Sequence, residues 1–170
     1  FPFWSKDGLS MTGSPGATVT GMMVIGAYGT GPRPVIHTSG SMAFIGDDPR
    51  NLAITSLKIE QVNYNGSSDA KGMFIYRFAQ NLMIEDLHVR NYAGGIAIHA
   101  SAGVSSDLHN IIIRKNVIEG NWKPLPATAQ GIFMGEVRDW IVEGIIFDNN
   151  GHPSPNGWNN DGSPQSHSIY

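Results

Sequence analysis

The sequence predicts an all-β fold, a right-handed parallel β-helix wound from three-strand coils of 29–30 residues. Three observations predict it. Four segments align at a fixed spacing, their apolar positions share one rhythm, and a glycine-led strand signal precedes each of the last three.

The aligned segments begin at Asn51, Asn81, Asn110 and Asp139, at spacings of 30, 29 and 29. They read NLAITSLKIEQV, NLMIEDLHVRNY, NIIIRKNVIEGN and DWIVEGIIFDNN. Four columns emerge: Leu52/Leu82/Ile111/Trp140, Ile54/Ile84/Ile113/Val142, Leu57/Leu87/Asn116/Ile145 and Ile59/Val89/Ile118/Phe147. Fifteen of the sixteen positions are apolar, where composition alone gives about 6 or 7.

The columns are two, three and two residues apart. Two-residue steps keep side chains on one face of a strand, and a three-residue step requires a bend between two strands. Asn116 falls at that bend, where its amide can bond backbone groups or a stacked neighbour. The third strand of each coil is read from Gly72–Tyr76, Gly95–His99 and Gly131–Gly135. Stacked coils about 4.8 Å apart would bury a continuous apolar column. A leucine-rich repeat competes through Ile54-x-x-Leu57-x-Ile59, but the return segments lack any 3.6-residue periodicity. Val24-Ile25, Val35-Ile36 and Ala43–Ile45 are assigned to one or two earlier coils.

Composition agrees. Isoleucine outnumbers leucine 18 to 7, which favours sheet over helix. The 21 glycines and 10 prolines fit many turns. A net charge of −3 argues against a duplex nucleic-acid binder. No apolar run approaches the roughly 20 residues of a membrane-spanning helix. There is no cysteine to report a redox compartment. Residues 1–170 are expected to form one domain of about five coils. Both ends read as cuts through a longer stack, whose open strand edges would invite self-association.

Gly-Φ-x-Φ followed by Asn-Φ-x-Φ-x-x-[Asn or Φ]-x-Φ, with Φ apolar, resembles the pectate-lyase-like superfamily of right-handed β-helix proteins. The stretch Gly26–Ile36 (GAYGTGPRPVI) resembles a segment common near the start of bacterial members. The resemblance covers roughly residues 20–170. It implies the fold, and a groove along the Gly-Φ-x-Φ sheet walled by the preceding loops. It also implies an extracellular or cell-surface protein acting on polysaccharide. The same scaffold serves lyases, hydrolases, epimerases and non-catalytic adhesins.

Loop lengths place a notch on that groove. The loop Tyr92–Gly94 is short, whereas 63–71, 121–130 and 149–166 are long, so a notch is expected over Ala97 and His99. Alternation points Phe74, Tyr76, Ala97, His99, Phe133 and Gly135 outward, with Tyr76 beside His99. That pair could take a proton from the sugar carbon beside a carboxylate and return one to the leaving oxygen. Lys71, Arg77 and Lys123 would neutralise the uronate carboxylate. Phe74 and Phe133, with Trp122 and Trp158, are the expected sugar-stacking surface, although the tryptophans could equally pin their loops.

Asp148, Asn160 and Asp161, in and before the last long loop, offer hard oxygen ligands for calcium without a recognised calcium-loop spacing. Isolated histidines give no zinc motif. The Asn-Thr-Asp, Asp-Asp and Gly-His-Gly set of the polygalacturonase type is absent, as is the Asp-Pro-His-Glu of alginate epimerases. The function that the resemblance implies, with the notch residues Tyr76, His99, Lys71 and Arg77 in support, is a lyase cleaving an acidic polysaccharide by β-elimination. The alternative is a non-catalytic glycan-binding or adhesive segment of a surface protein or phage tail fibre.

Overall fold

The computed structural model describes residues 21–39, 42–67, 69–100, 106–124, 128–151 and 169, with the backbone of 3–4 and 9–12. Among them there is no helix, and the strands form a parallel β-solenoid of about 4 turns. Three sheets run its length. Sheet I holds β2 (Leu9–Thr12), β5 (Phe44–Asp47), β8 (Lys71–Tyr76), β11 (Gly94–His99) and β14 (Gln130–Gly135). Sheet II holds β3 (Met23–Gly26), β6 (Arg50–Thr55), β9 (Phe78–Glu85), β12 (Asp107–Arg114) and β15 (Val137–Glu143). Sheet III holds β1 (Phe3–Trp4), β4 (Val35–Thr38), β7 (Lys58–Gln61), β10 (His88–Arg90), β13 (Val117–Glu119) and β16 (Ile146–Asp148). The chain passes from sheet I to II to III and then rises to the next coil.

The apolar columns of the sequence are the registered neighbours of the structure. Leu52 pairs with Leu82, Leu82 with Ile111, and Ile111 with Trp140. Ile59, Val89, Ile118 and Phe147 do the same in sheet III. The interior residues of the central coils are fully buried. The bend implied by the three-residue step lies between β6 and β7, and again between β9 and β10 and between β12 and β13.

The recurrence of asparagine has a conformational cause. Asn51, Asn81, Asn110 and Asp139 all have positive φ, between 49° and 55°. Asparagine and aspartate tolerate this left-handed region better than other side-chain-bearing residues. The exposed edge of the column is tied together, Asn81 Nδ2 donating to Asn51 Oδ1 at 2.8 Å and Asn110 Nδ2 to Asn81 Oδ1 at 3.1 Å. The next corner repeats the device with Ser56, Asp86, Lys115 and Gly144, at φ of 53–61°.

A bend takes backbone groups out of the sheet ladders, and buried amide side chains restore their partners. Asn116, fully buried, accepts from Leu87 N–H at 2.8 Å and donates to Ile84 C=O at 3.1 Å. Asn150 repeats the clasp, accepting from Asn121 N–H at 3.3 Å and donating to Ile118 C=O at 2.6 Å. Asn121 accepts from Tyr92 N–H at 3.0 Å. Asn116→Leu substitutes the residue type found at 57 and 87, so it removes the clasp while keeping apolar bulk. It is expected to cost about 2 kcal/mol, the penalty for an orphaned buried donor. Urea unfolding checks this, and an unchanged midpoint would contradict it.

Candidate functional site

The outer face of sheet I carries a row of rings. Tyr76 and Phe74 on β8 stack with centroids 5.5 Å apart. Phe74 meets His99 of β11 at 5.1 Å, and His99 meets Phe133 of β14 edge-on at 5.1 Å. Register explains the arrangement, because Ala97 pairs with both Phe74 and Phe133 while His99 pairs with Tyr76 and Gly135. The methyl of Ala97 leaves room between the two larger residues, and the His99 ring lies in contact with both of theirs.

The expected notch over Ala97 and His99 is not there. Ala97 is only 2% exposed. Its methyl lies in register between Phe74 and Phe133, two larger side chains on the coils either side, a size difference that strand alternation does not contain. A cleft does open at the other end of the same strands, beneath the short loop. It has a volume of about 350 Å³ and is lined by Asp69, Lys71, Ala93, Gly94, Lys123, Thr128 and Gln130. Lys71, Gly94 and Gln130 are register partners, so the floor crosses three coils with a side-chain-free position in the middle. The difference in loop length thus does create a recess, a few residues upstream of its expected place.

Charge is concentrated in this cleft. Lys123 Nζ forms an ion pair with the Asp69 carboxylate, and Lys71 Nζ donates to the Asp69 carbonyl at 2.8 Å. Burial pushes the Lys71 ammonium below its ordinary range, with Asp69 opposing the shift and Lys123 adding to it. The hydrogen bond from Lys123 holds the Asp69 carboxyl below its usual range. Asp69, Thr128 and Gln130 were not anticipated. The loop-length contrast that located a notch also implicates the residues at the loop bases, and following it there would have found them.

Arg77 faces a different partner. Its guanidinium pairs with the Asp47 carboxylate of the coil before, Nε lying 2.7 Å from Oδ1, and it sits 5.4 Å from the Tyr76 ring centroid. Asp47 is the register partner of Tyr76, so the ion pair closes the edge of the ring row rather than joining the lysine cleft. Trp122 is turned to its own loop: its ring meets Tyr64 at 5.4 Å, and its carbonyl accepts from the Tyr64 hydroxyl at 2.5 Å. A side chain on Gly66 would strike that indole at 2.7 Å, so Trp122 closes the 63–67 loop. Trp158, Asn160 and Asp161 lie outside the described residues.

His99 is chemically directed. Its Nδ1 is 2.9 Å from the Ala100 carbonyl oxygen. A carbonyl only accepts, so Nδ1 carries the proton and the neutral ring has its lone pair on Nε2. Glu60 and Glu119, by contrast, flank Arg90 on sheet III, with Arg90 Nε 3.4 and 3.3 Å away. Asp148 is exposed beside Glu119 in the same row. Among the described residues no group of three or more histidines or carboxylates is arranged to hold a metal. Asn150, in the same stretch, has its amide engaged in the interior clasp.

No protein-family model matches this chain, and neither the curated proteins nor the solved structures contain a significant match to it.

Proposed function

We propose that this protein binds an acidic polysaccharide across sheet I, with sugar rings on the Tyr76–Phe74–His99–Phe133 row and a carboxylate in the Lys71–Lys123 cleft. The observation that carries the reading is that row and cleft share the same three strands, β8, β11 and β14. Lys71 and Phe74 are three residues apart on one strand, about 10 Å, so one oligosaccharide can touch both. Aromatic faces take the apolar faces of sugars, and ammonium groups take their carboxylates. A ligand of this kind belongs outside the cell or on its surface.

Calorimetric titration with polygalacturonate and alginate tests the reading. Phe74→Ala and Phe133→Ala are each expected to weaken binding about five-fold, the effect of losing roughly 1 kcal/mol of ring contact. Unchanged affinity in both variants would remove the ring row from the ligand site.

A second reading, β-elimination, is favoured by one observation: the protonation of His99 Nδ1 leaves Nε2 as a base, beside the Tyr76 phenol as acid. Ultraviolet absorbance of an unsaturated product separates it from simple adhesion. Loss of product in Tyr76→Phe and His99→Ala that far exceeds their loss of binding supports catalysis by this pair. A chelator arm of the same assay reports any role for calcium at Asp148, Asn160 and Asp161.

A further inference from the structure

We infer that Asp69 is a resident carboxylate occupying the seat of the ligand's carboxylate, and that an acidic sugar binds by displacing it from Lys123. The inference rests on the cleft being the anionic end of the glycan site. Two ammonium groups face the cleft against a single carboxylate, so one positive charge is left over when the Asp69–Lys123 pair is closed. The two halves of that pair are unequally held. The Lys123 side chain is 14% exposed and fixed in the wall, whereas that of Asp69 is 80% exposed at the mouth.

An ion pair with one member so exposed contributes little to the fold, because water and salt compete for it. It nevertheless keeps a largely buried ammonium neutralised while the cleft is empty. A sugar carboxylate entering from solvent offers the same two-oxygen group in place of Asp69, and brings ring contacts that Asp69 lacks. The floor admits it. A Cβ at Gly94 would already touch the Gln130 carbonyl oxygen at 3.5 Å and Lys71 Cγ at 3.6 Å, so the glycine keeps the floor between those two residues free of a side chain. Thr128 and Gln130 in the lining supply hydroxyl and amide groups for sugar hydroxyls. Neutral sugars gain nothing from displacing a carboxylate, so Asp69 acts as a filter for charge.

The test is Asp69→Asn, an isosteric change at an exposed residue, with an unchanged thermal melt as the check on folding. Its affinity for polygalacturonate is expected to rise about five-fold and to fall more steeply with salt, because the competing carboxylate has gone. Affinity for fully methyl-esterified polygalacturonate should not change, and Lys123→Gln should abolish the preference for the acid over the ester. If wild type binds polygalacturonate and Phe74→Ala weakens it while Asp69→Asn leaves affinity and salt slope unchanged, the displacement mechanism is wrong and the proposed function stands. If neither wild type nor Asp69→Asn binds any polyuronide, both fail.

Discussion

Gly95→Ala is expected to destabilise the protein by about 3 kcal/mol or more, the upper range for forced overpacking, whereas Gly94→Ala one residue earlier should be tolerated. The contrast is geometric. A Cβ on Gly95 would lie 2.4 Å from the Gly131 carbonyl oxygen and 2.6 Å from Ile118 Cγ2. The first contact is with the backbone of the next coil, which cannot turn aside without breaking the β11–β14 ladder. On Gly94 the same atom has no contact under 3.5 Å. Thermal melts of the two variants check this. For a chain of this size the Gly95→Ala midpoint should fall by about 10 °C, and equal midpoints would refute the argument.

Tyr92→Ala is the second large effect, expected at about 3–5 kcal/mol for removal of a buried aromatic side chain. Tyr92 is completely buried, and its hydroxyl shares a 2.8 Å hydrogen bond with Thr38 Oγ1, two coils back. Tyr92→Phe keeps the ring and loses only that bond, so about 1 kcal/mol separates it from wild type. Burial raises the Tyr92 hydroxyl's pKa above its ordinary value, and the Thr38 hydrogen bond only partly offsets this. The folded state therefore holds the proton more tightly than the unfolded chain. The associated stability is complete below about pH 10 and is lost as the pH climbs from there toward the folded-state value. Urea midpoints measured across alkaline pH should fall in wild type and fall less in Tyr92→Phe. Tyr64, also raised by burial, leaves a residual slope in both.

Tyr92 also shows where the sequence stops being readable. The columns at Leu52, Ile54, Leu57 and Ile59 are visible because every coil fills them with similar side chains. The column of Tyr92 holds Val62, Asn121 and Asn150 at the same spacing, a mixture in which Tyr92 and Asn121 are fully buried and Val62 and Asn150 only partly so. Polarity hides it, and Tyr92 reads as a short loop. Asn116 could be placed at its bend because it interrupts an otherwise apolar column. The candidate site was legible to the same degree. Alternation located the ring residues, loop lengths pointed to a recess on the same sheet a few residues from where it lies, and two lysines were named for their charge alone. They could not show that Arg77 answers Asp47 from 30 positions earlier, nor that Ala97, in register between two phenylalanines, is buried. Both depend on side-chain reach between coils, which no repeat period encodes.

The amide clasps all point the same way. Asn116 closes on Leu87 and Ile84, Asn121 on Tyr92, and Asn150 on Asn121 and Ile118, each reaching to the preceding coil. In these coils the clasped groups of Ile84, Leu87, Tyr92, Ile118 and Asn121 thus gain these partners only when the next coil arrives. On a ribosome, which releases the chain from its N-terminal end, the newest coil is always unfinished and the one behind it is sealed about 29 residues later. The stack has an arrow of assembly, and its loosest point during synthesis is the turn most recently made.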